Sequence, residues 1–378
     1  MQQPAEIENE ALPAGEVERQ AEQVFASKVK LSTKVLVALL LLVVAVVSLF
    51  LGHYGMNPGE TVSAALSFIP KGISYLAYCI QDPSLFSDPS FSIPVSNAER
   101  VLFYIRLPRV IVVVLVGAAL AVAGASYQGM FKNPLTSPDL LGASAGASLG
   151  ACIALLLSLS GEFVQLFAFI GGMLAVGAAV WLNRLVDYDP TLGLVLAGIL
   201  VSTLFQSGMS LVKIMADSND KLPEITFWLM GSFASVNVAD ILVFIPMVVG
   251  FIILISQSWK LNVLSFGDEE ARAMGVNTSR TRLLVIFAST MITSSSVAVA
   301  GIIGWIGLVI PHLARAVVGP NYKVLLPASM FIGAAYLLIV DDLARLLVSI
   351  EIPIGILTAI LGVPFFVYIF KRNMKGWR

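Results

Sequence analysis

An all-α, polytopic membrane helical bundle of about ten transmembrane helices is the fold this sequence predicts, and two observations predict it. Hydrophobic residues make up 57% of the 378 residues and charged residues only 12%, with a mean hydropathy of +0.88, far more apolar than a water-soluble domain. Apolar runs of roughly 17 to 25 residues, the length one helical crossing needs, recur along nearly the whole chain after Lys34. That recurrence favours helices over a transmembrane barrel, whose strands are shorter and alternate in polarity.

The elements follow in chain order. Residues 1–33 are acidic, with Glu6, Glu8, Glu10, Glu16, Glu18 and Glu22 beside Pro4 and Pro13, and lack the basic start of a cleaved signal peptide. They are expected to form a disordered or loosely helical cytoplasmic tail, leaving 34–378 as the membrane domain. Apolar runs and their punctuation place crossings near 35–51, 110–131, 140–159, 163–182, 192–212, 241–256, 283–300, 305–318, 324–347 and 354–370. Glycines recur at close spacing in several of them (Gly117 and Gly124; Gly142, Gly146 and Gly150; Gly171, Gly172 and Gly177), the pattern of backbones packed against backbones in lipid.

Between the sixth and seventh crossings lies a polar island running from Ser265 to Asn277. Glu269, Glu270, Ala271, Arg272, Ala273 and Met274 favour a helix, with Asp268 placed to cap its first turn and Gly275 to end it. A helix of about two turns is unstable alone in water, so flanking segments or a partner must hold it.

Cys79, Cys152, His53 and His312 are scattered, giving neither metal-ligand spacing nor a disulfide framework. A net charge of -1 offers no basis for nucleic-acid binding. No catalytic residue stands out, and the chain holds no Gly-x-x-x-x-Gly-Lys-Ser/Thr phosphate loop with which to hydrolyse ATP itself. With the N-terminus inside, sixteen of the 23 lysines and arginines fall on predicted cytoplasmic segments and seven outside, which puts both termini and the polar island in the cytoplasm.

Three of the outward arginines stand at the ends of crossings: Arg106 and Arg109 at the mouth of the second, and Arg345 at the end of the ninth. Pattern alone leaves two readings. They snorkel or pair locally, since Asp341 and Arg345 are four apart on one helix face, or they face a partner. The turn Asn133-Pro134-Leu135, broken by its proline, reads either as an ordinary helix end or as a narrow point of a path. His312 and Arg315, three apart, read as helix-end anchors or as partner contacts.

The run Arg106-Leu107-Pro108-Arg109, followed by Val116-Gly117-Ala118-Ala119 to Gly124, Gln128, Asn133-Pro134-Leu135 and Pro138-Asp139-Leu140-Leu141-Gly142, resembles the permease subunits of iron-chelate and vitamin B12 ABC importers, the type II importers. So do Gly304-Trp305-Ile306-Gly307 to Arg315, Asp342-Leu343-Ala344-Arg345, Ile352-Pro353-Ile354-Gly355 and Gly362-Val363-Pro364. The likeness spans about Lys34 to Arg372. The acidic tail and the Ser- and Pro-rich stretch 81–98, which looks like an outer insertion, depart from it.

The resemblance implies a homodimer in the cytoplasmic membrane of a bacterium or archaeon, with the translocation path between the copies. It implies two separate ATPase subunits that bind ATP and Mg, and a periplasmic or lipid-anchored binding protein. It makes the segment 265–282 the coupling segment, with Gly267, Asp268, Glu269, Glu270, Arg272, Met274 and Gly275 against the ATPase, and Ala273 and Val276 as further apolar contacts. It makes Arg106, Arg109 and Arg345 the docking points for the binding protein's glutamates, and Asn133, Leu135 and Thr191 the cytoplasmic gate. The implied cargo is an iron chelate (a ferric siderophore or haem), cobalamin or, less often, an oxyanion, and no metal or cofactor belongs to this chain. The rival readings are weaker. An ion-coupled secondary transporter needs ionisable residues at mid-membrane, whereas the acids here lie at ends and loops. An intramembrane enzyme needs a nucleophile with a base or metal, for which His53 and His312 offer little.

Overall fold

The computed structural model describes residues 31–52, 54–81, 96–185, 190–236, 244–348 and 350–374. The tail expected at 1–33 lies outside them except for 31–33, and the stretch 81–98 except for its ends. Among the described residues the regular structure is helical throughout.

Helix α1 (Leu31–Phe50) is followed by α2 (Pro58–Gln81), then by the one-turn α3 (Asn97–Arg100). A π-helical turn, Val101–Arg106, carries α3 into α4 (Leu107–Met130). After a 3-10 turn at Pro138–Leu141 come α5 (Ala143–Leu156), α6 (Gly161–Arg184), α7 (Pro190–Met215) and the short α8 (Lys221–Met230). Helices α9 (Phe244–Ser256) and α10 (Ser258–Leu264) form a pair bent by 50°. The small α11 (Asp268–Ala273) precedes α12 (Thr278–Ala300), α13 (Ile306–Val318), α14 (Tyr322–Leu346) and α15 (Ile354–Met374).

Among the described residues each of the ten expected apolar segments is mainly helical, but they do not all cross alone. Helices α5 and α13 hold 14 and 13 residues, hence about 21 and 20 Å at 1.5 Å per residue, short of a hydrocarbon layer of about 30 Å. Both begin inside the bundle. Gly146 of α5 packs on Gly171, midway along α6, and Gly307 of α13 packs against Gly124 and the Leu120 carbonyl of α4. The leads into them, the start of the 3-10 turn at Ser137–Asp139 and the irregular stretch Ile303–Trp305, meet at a cavity of about 240 Å³ walled by Leu120, Gly307 and Leu308. Irregular backbone at this depth is sustainable only where protein or a cavity surrounds it.

Helix α4 is the axis of the bundle. Its run of valine, alanine and glycine is small on every side, and 83% of its span is buried, against 6% for α1 at the periphery. All but Gly177 of the glycines that the sequence groups meet neighbours: Gly117 faces Gly333 of α14, Gly150 faces the Phe167 carbonyl, and Gly172 faces Ser294 of α12. A Cβ on Gly124 would overlap the carbonyl oxygen of Gly307. Gly124→Ala therefore pushes α4 from α13 and is expected to lower stability by about 1–3 kcal/mol, read as the loss of folded protein in mixed-micelle denaturation. The same change at Gly177, where an added Cβ would meet nothing within 4 Å, is expected to be silent.

Candidate coupling end and outer charge cluster

Two constellations hold nearly all the polar residues that the sequence singles out, one at each end of the bundle. At one end, α11 is held as a short bracket between α10 and α12. Its C-terminus closes as the sequence expects: Gly275 takes a φ of +78°, Gly275 N–H returns to the Arg272 carbonyl and Val276 N–H to that of Ala271, at 2.9 Å each. Its N-terminus corrects the expectation. The N-cap residue is Gly267, at φ +142°, and Asp268 does not cap the helix. The Asp268 carboxylate instead reaches Arg282 of α12 at 2.8 Å and Lys132, just past α4, at 3.3 Å.

Lys132 opens the turn Asn133-Pro134-Leu135, and it does so at φ +51°, a left-handed conformation uncommon for a lysine. Asn133 Oδ1 accepts from Leu135 N–H at 2.9 Å, an Asx turn, and His312 Nε2–H of α13 donates to the Pro134 carbonyl at 3.0 Å. The turn is thus tied to α11 on one side and to α13 on the other. Arg315, one turn beyond His312, donates to Gln128 Oε1 of α4 at 2.6 Å, and Gln128 donates in turn to the Leu308 carbonyl. His312 and Arg315 therefore bind helices together within the chain. Thr191 lies in the first turn of α7, and its side chain falls outside what is described.

The exposed face of α11 carries Glu269, Glu270, Arg272 and Ala273. One of the expected apolar contacts is corrected: Val276 is buried, while Met274 is half-buried against the core and Ala273 is exposed. Phe266, just ahead of the helix and 44% exposed, adds an aromatic to that surface. The signal for it was an aromatic beside Gly267 in an otherwise polar island.

At the other end, the three arginines are not presented as free cations. Arg109 is 9% exposed and forks between Asp341 (2.9 Å) and Glu351 (2.8 Å). Arg106, 3% exposed, donates to the carbonyls of Leu49 and Tyr54, at 2.9 Å each. Arg345 donates to the carbonyls of Ser48 and Leu51, at 3.0 Å each, and pairs with Asp342, whose carboxylate also accepts from the Ser48 hydroxyl at 2.7 Å. The local ion pair that the i,i+4 spacing suggested is present between Arg345 and Asp341 at 3.7 Å. Two of these guanidiniums sit on the last carbonyls of α1, where a cation favours the helix dipole. The cluster ties α1, α4 and α14 together with three positive and three negative side chains.

The sequence profile of the FecCD transport family matches residues 40–372. The chain belongs to that family. It is 40% identical over 342 residues to the molybdate import system permease protein MolB of Haemophilus influenzae, covering 89% of this chain and 95% of that one. It is 36% identical over 346 residues to the Fe(3+)-citrate import system permease protein YfmE of Bacillus subtilis, covering 90% and 95%. Against the cobalamin import system permease protein BtuC of Halobacterium salinarum it is 37% identical over 283 residues, covering 74% and 76%. A solved inward-facing conformation of a metal-chelate type ABC transporter superposes with a TM-score of 0.74 at 37% identity, covering 89% of this chain and 97% of that one. This FecCD-family chain is a multi-pass permease subunit of an ABC transporter, a translocating component whose ATP hydrolysis belongs to partner subunits.

Proposed function

We propose that this permease works as a homodimer which imports an anionic, oxygen-rich metal species, driven by two ATPase subunits that bind ATP and Mg and seat on α11. The observation that carries the reading is the bracketed helix itself, with Glu269, Glu270, Arg272 and Phe266 exposed on one side and Asp268 wired to the Asn133-Pro134-Leu135 turn on the other. Such a helix converts a push from a soluble engine into movement at the turn, where Asn133 and Leu135, with Thr191, form the cytoplasmic gate. In this reading the cytoplasmic face is the one that carries α11.

Two relatives aligned over 95% of their length are named for ferric citrate and for molybdate, and both cargoes are metal centres wrapped in anionic oxygen. A ferric carboxylate-type chelate is the first reading and molybdate the second; haem and cobalamin stand behind them on shorter alignments. A binding protein delivers the cargo at the arginine cluster, where its glutamates would displace Glu351 from Arg109. Charge pairs at a half-buried rim of this kind set encounter and register more than affinity.

The test is reconstitution of the permease with its ATPase in vesicles, with iron-55 citrate or molybdenum-99 molybdate supplied on the binding protein. Uptake is expected to require ATP and to select one label. Accumulation against a gradient by vesicles holding this chain alone would instead establish an ion-coupled secondary transporter.

A further inference from the structure

Asn262 lies outside both the coupling helix and the gate, yet it is 3% exposed and both ends of its side-chain amide are bonded. It sits on α10, just before the polar island begins at Ser265, and its carbonyl accepts from Ser265 N–H at 3.2 Å and from the Ser265 hydroxyl at 2.6 Å. Its amide reaches another helix. Oδ1 accepts from Tyr322 N–H at 2.8 Å, and Nδ2 donates to Asn321 Oδ1 at 2.9 Å. Asn321 is the N-cap of α14 and accepts from Lys323 N–H with that same oxygen, while its carbonyl accepts from Val324 N–H and Leu325 N–H. The four N–H groups that open α14 are thus all satisfied, the first of them by a residue of another element.

The consequence is mechanical. Drawing α10 away from α14 would strand Tyr322 N–H and the Asn262 amide in a site nearly closed to water, and a stranded buried polar group costs more than its bond contributes. The two elements therefore move together. From Tyr322, α14 runs 25 residues, about 37 Å at 1.5 Å per residue, and its far end holds Asp341, Asp342 and Arg345 of the outer charge cluster. It lies close against α4 on the way, Gly333 on Gly117. We infer that Asn262 is a positioning residue: it passes displacement of the α10–α11 bracket to the foot of α14, and α14 carries it to the arginine cluster where a binding protein docks. This rests on the proposed seating of the ATPase on α11 and adds a second outlet to it. Asp268 links the bracket to the turn at the cytoplasmic gate, and Asn262 links it to the outer face.

Hydrogen–deuterium exchange of the permease assembled with its ATPase tests this, with and without the non-hydrolysable nucleotide adenylyl imidodiphosphate. Residues 265–277 report on the bracket. Residues 343–352 report on the outer end, where Leu347 N–H is bonded to the Leu343 carbonyl and Ile352 N–H to that of Ala344. In wild type the nucleotide is expected to alter exchange in both segments, at the outer one by about fivefold, the low end of ordinary coupling between sites. Asn262→Ala is expected to keep the first response and lose the second. Asn321→Ser, which retains a capping oxygen for Lys323 N–H but is too short to meet Asn262, is expected to do the same, and serves if Asn262→Ala folds poorly. An outer response that persists in both variants, or is absent from wild type, overturns the link while leaving the ATPase seated on α11. Loss of both responses in Asn321→Ser also overturns it, since Asn262 would then only support the bracket. No response at 265–277 in wild type removes the seating itself and the link with it.

Discussion

Arg109→Ala is expected to cost the folded permease about 3 kcal/mol, the lower end of the range for breaking a buried pair, because it leaves Asp341, 1% exposed, with only Arg345 at 3.7 Å to offset its charge inside the bundle. Glu351 loses its partner in the same step, although it is a third exposed and water can compensate part of that loss. The double variant R109A/D341A removes both members of the buried pair and is expected to recover a substantial part of the loss, so the cycle isolates the coupling between them. Denaturation of the purified protein in mixed micelles, followed by tryptophan fluorescence, reads both numbers. The outcome also decides what Arg109 is for. If R109A kept wild-type stability and lost only affinity for the binding protein, the pairing with Asp341 would be incidental and docking would be its main role.

These arginines show where a sequence stops being legible. That Asp341 and Arg345 could pair follows from a four-residue spacing on one helix, and the structure has that pair. That Arg109 pairs with Asp341 does not follow, because 232 residues separate them and only the packing of α4 on α14 brings them together. Without those partners, three arginines at one end of the bundle read as cations waiting for a guest. The ten apolar segments were readable for the opposite reason, since hydropathy and helix length act locally. Their depth was not: α5 and α13 look like full crossings in the sequence, and only the packing of Gly146 on Gly171 and of Gly307 on Gly124 shows that they begin inside the bundle. Helices α2 and α8 carry proline and charge among their apolar residues and so fell below the threshold for recognition.

The coupling segment divides along the same line. Gly275 ends α11 as its conformational freedom predicts, because a left-handed residue at that position is a local requirement. Asp268 had two possible uses, capping its own helix or reaching a cation from elsewhere in the chain. Two cations within 3.3 Å decide for the second.

Asp268→Asn is accordingly expected to separate ATP hydrolysis from transport. The side chain is about a quarter exposed and Lys132 more so, which limits the stability lost with these pairs to about 1 kcal/mol or less. The mechanical consequence is larger. Without the carboxylate, displacement of α11 is no longer passed through Lys132 to the turn at Asn133-Pro134-Leu135, and the link between two sites in one protein is commonly a 1–3 kcal/mol coupling. Cargo moved per ATP is expected to fall about thirtyfold, the middle of that range, while ATP turnover by the assembled transporter stays near wild type. Lys132→Met removes the other end of the link and should reproduce the effect; Asp268→Glu keeps the charge and should restore much of the coupling. The measurement is the ratio of labelled cargo to phosphate released in the same vesicles. An unchanged ratio for both Asp268→Asn and Lys132→Met would mean that the ion pair holds α11 in place without driving the turn, and that the push travels instead through Gly275 and Val276 directly into α12.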